Sequence, residues 1–180
     1  MPSSLIKKKT MRRSWFYFCI LVLYTITSTV QAATDAVPLV ASYQKISEGL
    51  GDFTAILDGA STFGAVSAAG GDLNNDGFLD IVMGKFADDE AGSDTGAIFV
   101  IFLSETAKVL SHQKISKIYG GLTADIAEGS YFGSALDIIP DLNSDGMTDL
   151  VVGANEAEGG DGAVFVIFLD PFGIYIYSFE

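Results

Sequence analysis

Basic side chains are scarce in this chain. Ten Lys and Arg stand against 23 Asp and Glu, and five of the ten lie between Lys7 and Arg13. Beyond residue 32 the balance is 5 basic against 23 acidic residues, a net charge of −18. That excludes a nucleic-acid binder, which needs basic patches, and disfavours anionic membrane surfaces. It favours cations as ligands. Cysteine is nearly absent: the only one, Cys19, lies in an apolar run, so no disulfide framework holds the rest of the chain. Histidine occurs once, at His112. No Ser, His and Asp constellation stands out around that one histidine and there is no cysteine nucleophile, so the chain reads as a non-enzyme. His112 stands in "SHQKIS" where Tyr43 stands in "SYQKIS", which marks it as structural. No Asn-x-Ser/Thr sequon occurs, so N-glycosylation is not expected.

The basic cluster belongs to a leader. Lys7 to Arg13 precede the apolar run "WFYFCILVLY" at 15–24, and Val30 and Ala32 supply the small residues of a cleavage site. This is the layout of a secretory signal peptide over 1–32. The run is too short for a membrane anchor, which needs about 20 apolar residues, so no span is expected after cleavage. The remainder is therefore expected to be secreted or held at the cell surface.

That remainder repeats itself. "QKIS" recurs at 44–47 and 113–116, and "FG" at 63–64 and 132–133, each 69 residues apart. "DIVMG" at 80–84 matches "DLVVG" at 149–153. "AIFVIFL" at 97–103 matches "AVFVIFL" at 163–169, here 66 apart, so the length change falls between Gly84 and Gly96 in one copy and Gly153 and Gly162 in the other. The division expected is a lead at 33–43, a first copy at 44–112 and a second at 113–180. Both variable loops are acidic (Asp88, Asp89, Glu90 and Asp94; Glu156, Glu158 and Asp161) and read as solvated turns, with a partner surface as the sharper alternative. Gly120–Gly121 and Gly159–Gly160 read as turns.

Each copy reads as strands. "AIFVIFL" is rich in branched and aromatic residues and does not alternate, as expected of a strand covered on both faces. "QKIS" suits an outer edge. The expectation is an all-β fold of antiparallel four-stranded sheets, stacked face to face as blades of a β-propeller. Two blades are too few to close one, so further blades in the same or another chain are expected. The stretch "GIYIYSFE" at the end should run where the next edge strand belongs.

The loops "DLNNDGFLD" at 72–80 and "DLNSDGMTD" at 141–149 stand out between apolar strands. Alternating oxygen ligands with a Gly for the sharp turn are how a chain wraps calcium. One ion per copy, two in total, is expected. The ligands are Asp72, Asn74, Asp76 and Asp80 with the Phe78 carbonyl, then Asp141, Asn143, Asp145 and Asp149 with the Met147 carbonyl. Position 7 gives only its carbonyl, which is why Phe and Met are allowed there. An EF-hand fails on the same residues, since its position-12 Glu would fall on Met83 and Val152. Without metal the loops would be acidic turns held by Asx caps, with three carboxylates repelling one another.

The order Phe63–Gly64, loop 72–80 and Gly84, repeated as Phe132–Gly133, loop 141–149 and Gly153, resembles the FG-GAP repeat of integrin-alpha-like propellers. The family's Gly-Ala-Pro is "GKF" at 84–86 and "GAN" at 153–155 here. The resemblance implies calcium loops between blade strands and adhesion to a protein or glycan ligand. A non-catalytic portion of a larger secreted enzyme, or a purely structural surface repeat, are the alternatives.

Overall fold

The computed structural model describes residues 39–57 and 62–170. The leader at 1–32 and the stretch "GIYIYSFE" at 173–180 lie outside the described residues. The chain divides into two compact units, Met1–Tyr43 and Gln44–Glu180, and all regular structure described lies in the second.

Seven strands follow one another there: β1 (Val66–Gly71), β2 (Asp80–Lys85), β3 (Ala97–Leu103), β4 (Val109–Ser116), β5 (Phe132–Ile139), β6 (Asp149–Ala154) and β7 (Ala163–Ile167). They form two antiparallel sheets, ordered β1-β2-β3-β4 and β5-β6-β7. The fold is thus all-β and blade-like, with the ring left unclosed. A single kinked helical turn, Ala157–Gly160, occupies the loop before β7. Among the described residues, no helix is long and apolar enough to cross a membrane.

The unalternating run at 97–103 becomes β3 over its full length, and every residue of it is buried. Its two faces feed two cores. Ile98, Val100 and Phe102 join Val82, Leu150, Val152 and Phe132 in a core shared between the sheets. Phe99, Ile101 and Leu103 join Phe53, Ala55 and Val109 in a second core, covered by the segment around 46–57. Phe53, Phe63 and Phe99 meet there with ring centroids 5.2 to 5.9 Å apart.

Two expectations are corrected. The "QKIS" at 113–116 ends β4, an outer strand as expected, but the "QKIS" at 44–47 forms only a turn with a Ser47–Leu50 bridge. A strand needs a neighbouring strand, and among the described residues none lies beside 44–47. Residues 113–116 pair within the first sheet as the end of β4. Last, β7 is not covered on both faces: its burial alternates, with Val164 and Val166 exposed.

Candidate metal site in the two acidic loops

Each acidic loop is a hairpin connection, 72–80 between β1 and β2 and 141–149 between β5 and β6. The two share one backbone path. Asn75 and Gly77 have φ of 58° and 92°; Ser144 and Gly146 have 64° and 91°. A Cβ on Gly77 or Gly146 would meet nothing, so glycine is there for its left-handed backbone and not for space.

The side chains turn inward onto the loop's own amides. In the first loop, Asp72 accepts the N–H of Asp76 at 3.0 Å and of Gly77 at 2.9 Å, Asn74 Oδ1 that of Asp76 at 3.1 Å, and Asp76 that of Phe78 at 2.9 Å. The second repeats this: Asp141 accepts from Asp145 and Gly146, Asn143 from Asp145, and Asp145 from Met147. Asn74 and Asn143 also donate their amides to Asp76 and Asp145.

The ninth residue of each loop differs from the rest. Asp80 and Asp149 are fully buried. Asp80 takes the N–H of Leu73 at 2.8 Å on one oxygen and of Leu103 at 2.9 Å on the other. Asp149 does the same with Leu142 and Leu169, at 2.8 and 3.3 Å. Each therefore ties its loop to the end of the third strand of its own sheet, a structural role that spacing alone did not reveal. Burial pushes the Asp80 carboxyl above its ordinary value; the two amides oppose this, and the charges of Asp76 and Asp72 add to it.

The donor set suits a hard cation. Every side-chain group aimed into the loop offers oxygen, and a carboxylate oxygen that accepts one N–H keeps a second lone pair. Among the described residues, however, no three carboxylate, imidazole or thiol groups stand close enough together to grip a metal as placed. The loops also touch one another, which the sequence did not signal. Asn75 of the first loop donates to the Met147 Sδ of the second at 3.0 Å, and Met147 is buried where its counterpart Phe78 is half exposed.

The variable loops differ from expectation. Asp88 is not a solvated turn residue: it is buried, 2.8 Å from the equally buried Lys85 Nζ and 2.9 Å from Lys114 Nζ. Lys114 reaches Glu90 as well, and Tyr119 donates to Glu90 at 2.7 Å. The "GKF" departure is thus a buried cation requiring acids in the following loop. Glu156, Glu158 and Asp161 in the counterpart loop are exposed, as expected. His112 packs on Phe53, rings 4.8 Å apart, with Nε2 3.1 Å from Thr54 Oγ1.

The FG-GAP repeat family matches residues 132–167, from the start of β5 to the end of β7. Integrin alpha-2 of Bos taurus is 36% identical over 92 residues, 51% of this chain and 7% of its own length. Integrin alpha-PS5 of Drosophila melanogaster is 36% identical over 104 residues, 57% of this chain and 9% of its own. Integrin alpha-7 of Mus musculus is 28% identical over 153 residues, 81% of this chain and 10% of its own. The chain spans a tenth or less of the length of these relatives.

Proposed function

We propose that this chain, whose residues 132–167 match the FG-GAP repeat and which is similar to integrin alpha chains, is a secreted or cell-surface, calcium-binding, non-catalytic propeller module that engages a protein or glycan ligand. The observation that carries the calcium reading is the duplication of an all-oxygen loop with the same backbone path and the same inward side chains. Asp72, Asn74, Asp76 and Asp80 with the Phe78 carbonyl would hold one ion, and Asp141, Asn143, Asp145 and Asp149 with the Met147 carbonyl a second.

Each loop brings three formal negative charges to one turn. A divalent cation offsets that repulsion and draws the carboxylates together. Asp80 and Asp149 anchor each site to the sheet through their amide bonds, so an ion bound there stiffens the hairpin and the third strand at once. The acidic balance, the leader at 1–32 and the integrin relatives support the extracellular, adhesive part of the reading.

Thermal melting of the full chain with calcium, with magnesium and with chelator tests it. Binding to the folded state alone should stabilise by about 2.7 kcal/mol per site at a hundred times the dissociation constant. Magnesium should substitute poorly, because it demands tighter octahedral geometry. Asp76→Ala and Asp145→Ala should each remove one ion and part of the shift. Asp80 and Asp149 are unsuitable for this test, since removing either also breaks the tie to the third strand. Melting that ignores calcium, with no metal bound by direct analysis, overturns the reading.

A further inference from the structure

We infer that the two acidic loops take up their ions cooperatively, through the side chains of Asn75 in the first loop and Met147 in the second. The inference rests on the calcium reading above and adds that neither loop binds independently of the other.

The loops meet at three levels. At the base, a Cβ on Gly71, the last residue of β1, would collide with Ile138 of β5 and stand 3.3 Å from Thr148 Cγ2 of the second loop. At the flank, Leu73 is 1% exposed and belongs to the core that Leu150 and Ile138 also line. At the tip, the Asn75 side-chain amide donates to Met147 Sδ at 3.0 Å, with the Gly146 carbonyl oxygen 3.5 Å away. Met147 is only 2% exposed, so the acceptor is held in place.

The tip contact stands where the other loop has an internal bond. In the second loop, the Ser144 N–H donates to Asp141 Oδ1 at 2.6 Å. Asn75 is the repeat mate of Ser144 and has nearly the same φ, 58° against 64°. Asp72 accepts the N–H groups of Asp76 and Gly77 and, among the described residues, not that of Asn75. The fourth residue of the first loop is therefore held by the neighbouring loop and not by the first carboxylate of its own.

Both ends of the contact lie among the proposed ligands. Asn75 sits between Asn74 and Asp76. Met147 donates its N–H to Asp145 Oδ1 at 2.8 Å, and its carbonyl is itself a proposed ligand. Ordering the second loop fixes Met147, and with it the acceptor for Asn75. The first loop then has less freedom left to lose when its own ion binds. Linkage makes the effect reciprocal. Charge works the other way, because an ion in one loop weakens the pull of its carboxylates on the next ion. Salt at about 0.15 M screens charges more than about 8 Å apart, whereas a contact between packed side chains is not screened. The balance at that salt favours the second ion.

The test is calcium titration calorimetry of the full chain, with direct counting of bound metal. Asp76→Ala leaves the second loop to bind by itself and gives its constant; Asp145→Ala gives that of the first. The product of the two stepwise association constants of wild type, divided by the product of these two, is the coupling factor. It should be about five or more, and raising the salt should not lower it. The same cycle is then run on Asn75→Ser, which puts there the residue that the second loop already has at φ 64°. Two ions should still bind, and the factor should fall to near one. Met147→Leu keeps the carbonyl and the apolar bulk, removes the sulfur, and should do the same. A wild-type factor of one or less overturns the inference, as does a larger factor that Asn75→Ser leaves unchanged. Two ions bound independently overturn the coupling and leave the calcium reading standing; no ion bound by either loop overturns both.

Discussion

His112 is the only histidine, so it dominates the difference between pH 5 and 7. Burial against Phe53 holds its imidazole below the ordinary histidine value. The unfolded chain therefore takes up a proton first as pH falls. Stability is full above the ordinary value of about 6.5 and falls as pH drops from there toward the folded value. His112→Gln keeps a partner for Thr54 and removes the titration. Melting temperatures at pH 5 and 7 should differ more in wild type than in this variant; equal differences would show that the ring is not held neutral. Its structural character was legible from Tyr43 in the other copy. The partners Phe53 and Thr54 were not, because 58 residues separate Thr54 from His112 and no local pattern spans that distance. Asp80 and Asp149 follow the same logic. Their place in the loop could be read from spacing, but the amides they accept from Leu103 and Leu169 lie 23 and 20 residues further along the chain.

At the scale of an element, the loop from β2 to β3 is held by charge. Burial alone would raise the Asp88 carboxyl, but its bonds to Lys85 and Lys114 outweigh this and hold it below the usual value. Its contribution is therefore present above about pH 3.8 and is lost as pH falls through the lower folded value. Asp88→Ala leaves the Lys85 ammonium buried without its partner and should cost about 3–5 kcal/mol by denaturant midpoint. Glu156→Ala in the exposed counterpart loop should stay within about 0.5 kcal/mol. Equal effects would show that the buried network contributes nothing. Composition placed both acidic stretches in loops correctly, yet it could not distinguish the buried set from the wet one. Lys85 is the signal that could have done so, a cation standing inside an otherwise apolar strand run. The strands themselves were more legible: the apolar run at 97–103 matches β3 residue for residue. Their phase was not, since a repeating sequence can be cut anywhere, and only the pairing of β3 with β4 shows that 113–116 closes the first sheet.

At the scale of the whole described unit, the two sheets are joined by the core they share. Phe132 is its hinge point: fully buried, stacked edge-on against Phe165, and bridged through its backbone to Gly96 of the first sheet. Neither sheet can open without exposing the face of the other, so the two should unfold in one transition. Phe132→Ala should destabilise that transition by about 3–5 kcal/mol, the cost of an emptied aromatic site. Phe63→Ala removes the same ring from the same place in the first sheet, but there the ring is only half covered. Its cost should be smaller. Denaturant titrations of both variants and wild type, followed by circular dichroism, separate these effects. Two resolved transitions would mean the sheets are independent. A Phe63→Ala cost equal to that of Phe132→Ala would show that the half-covered ring matters as much as the buried one.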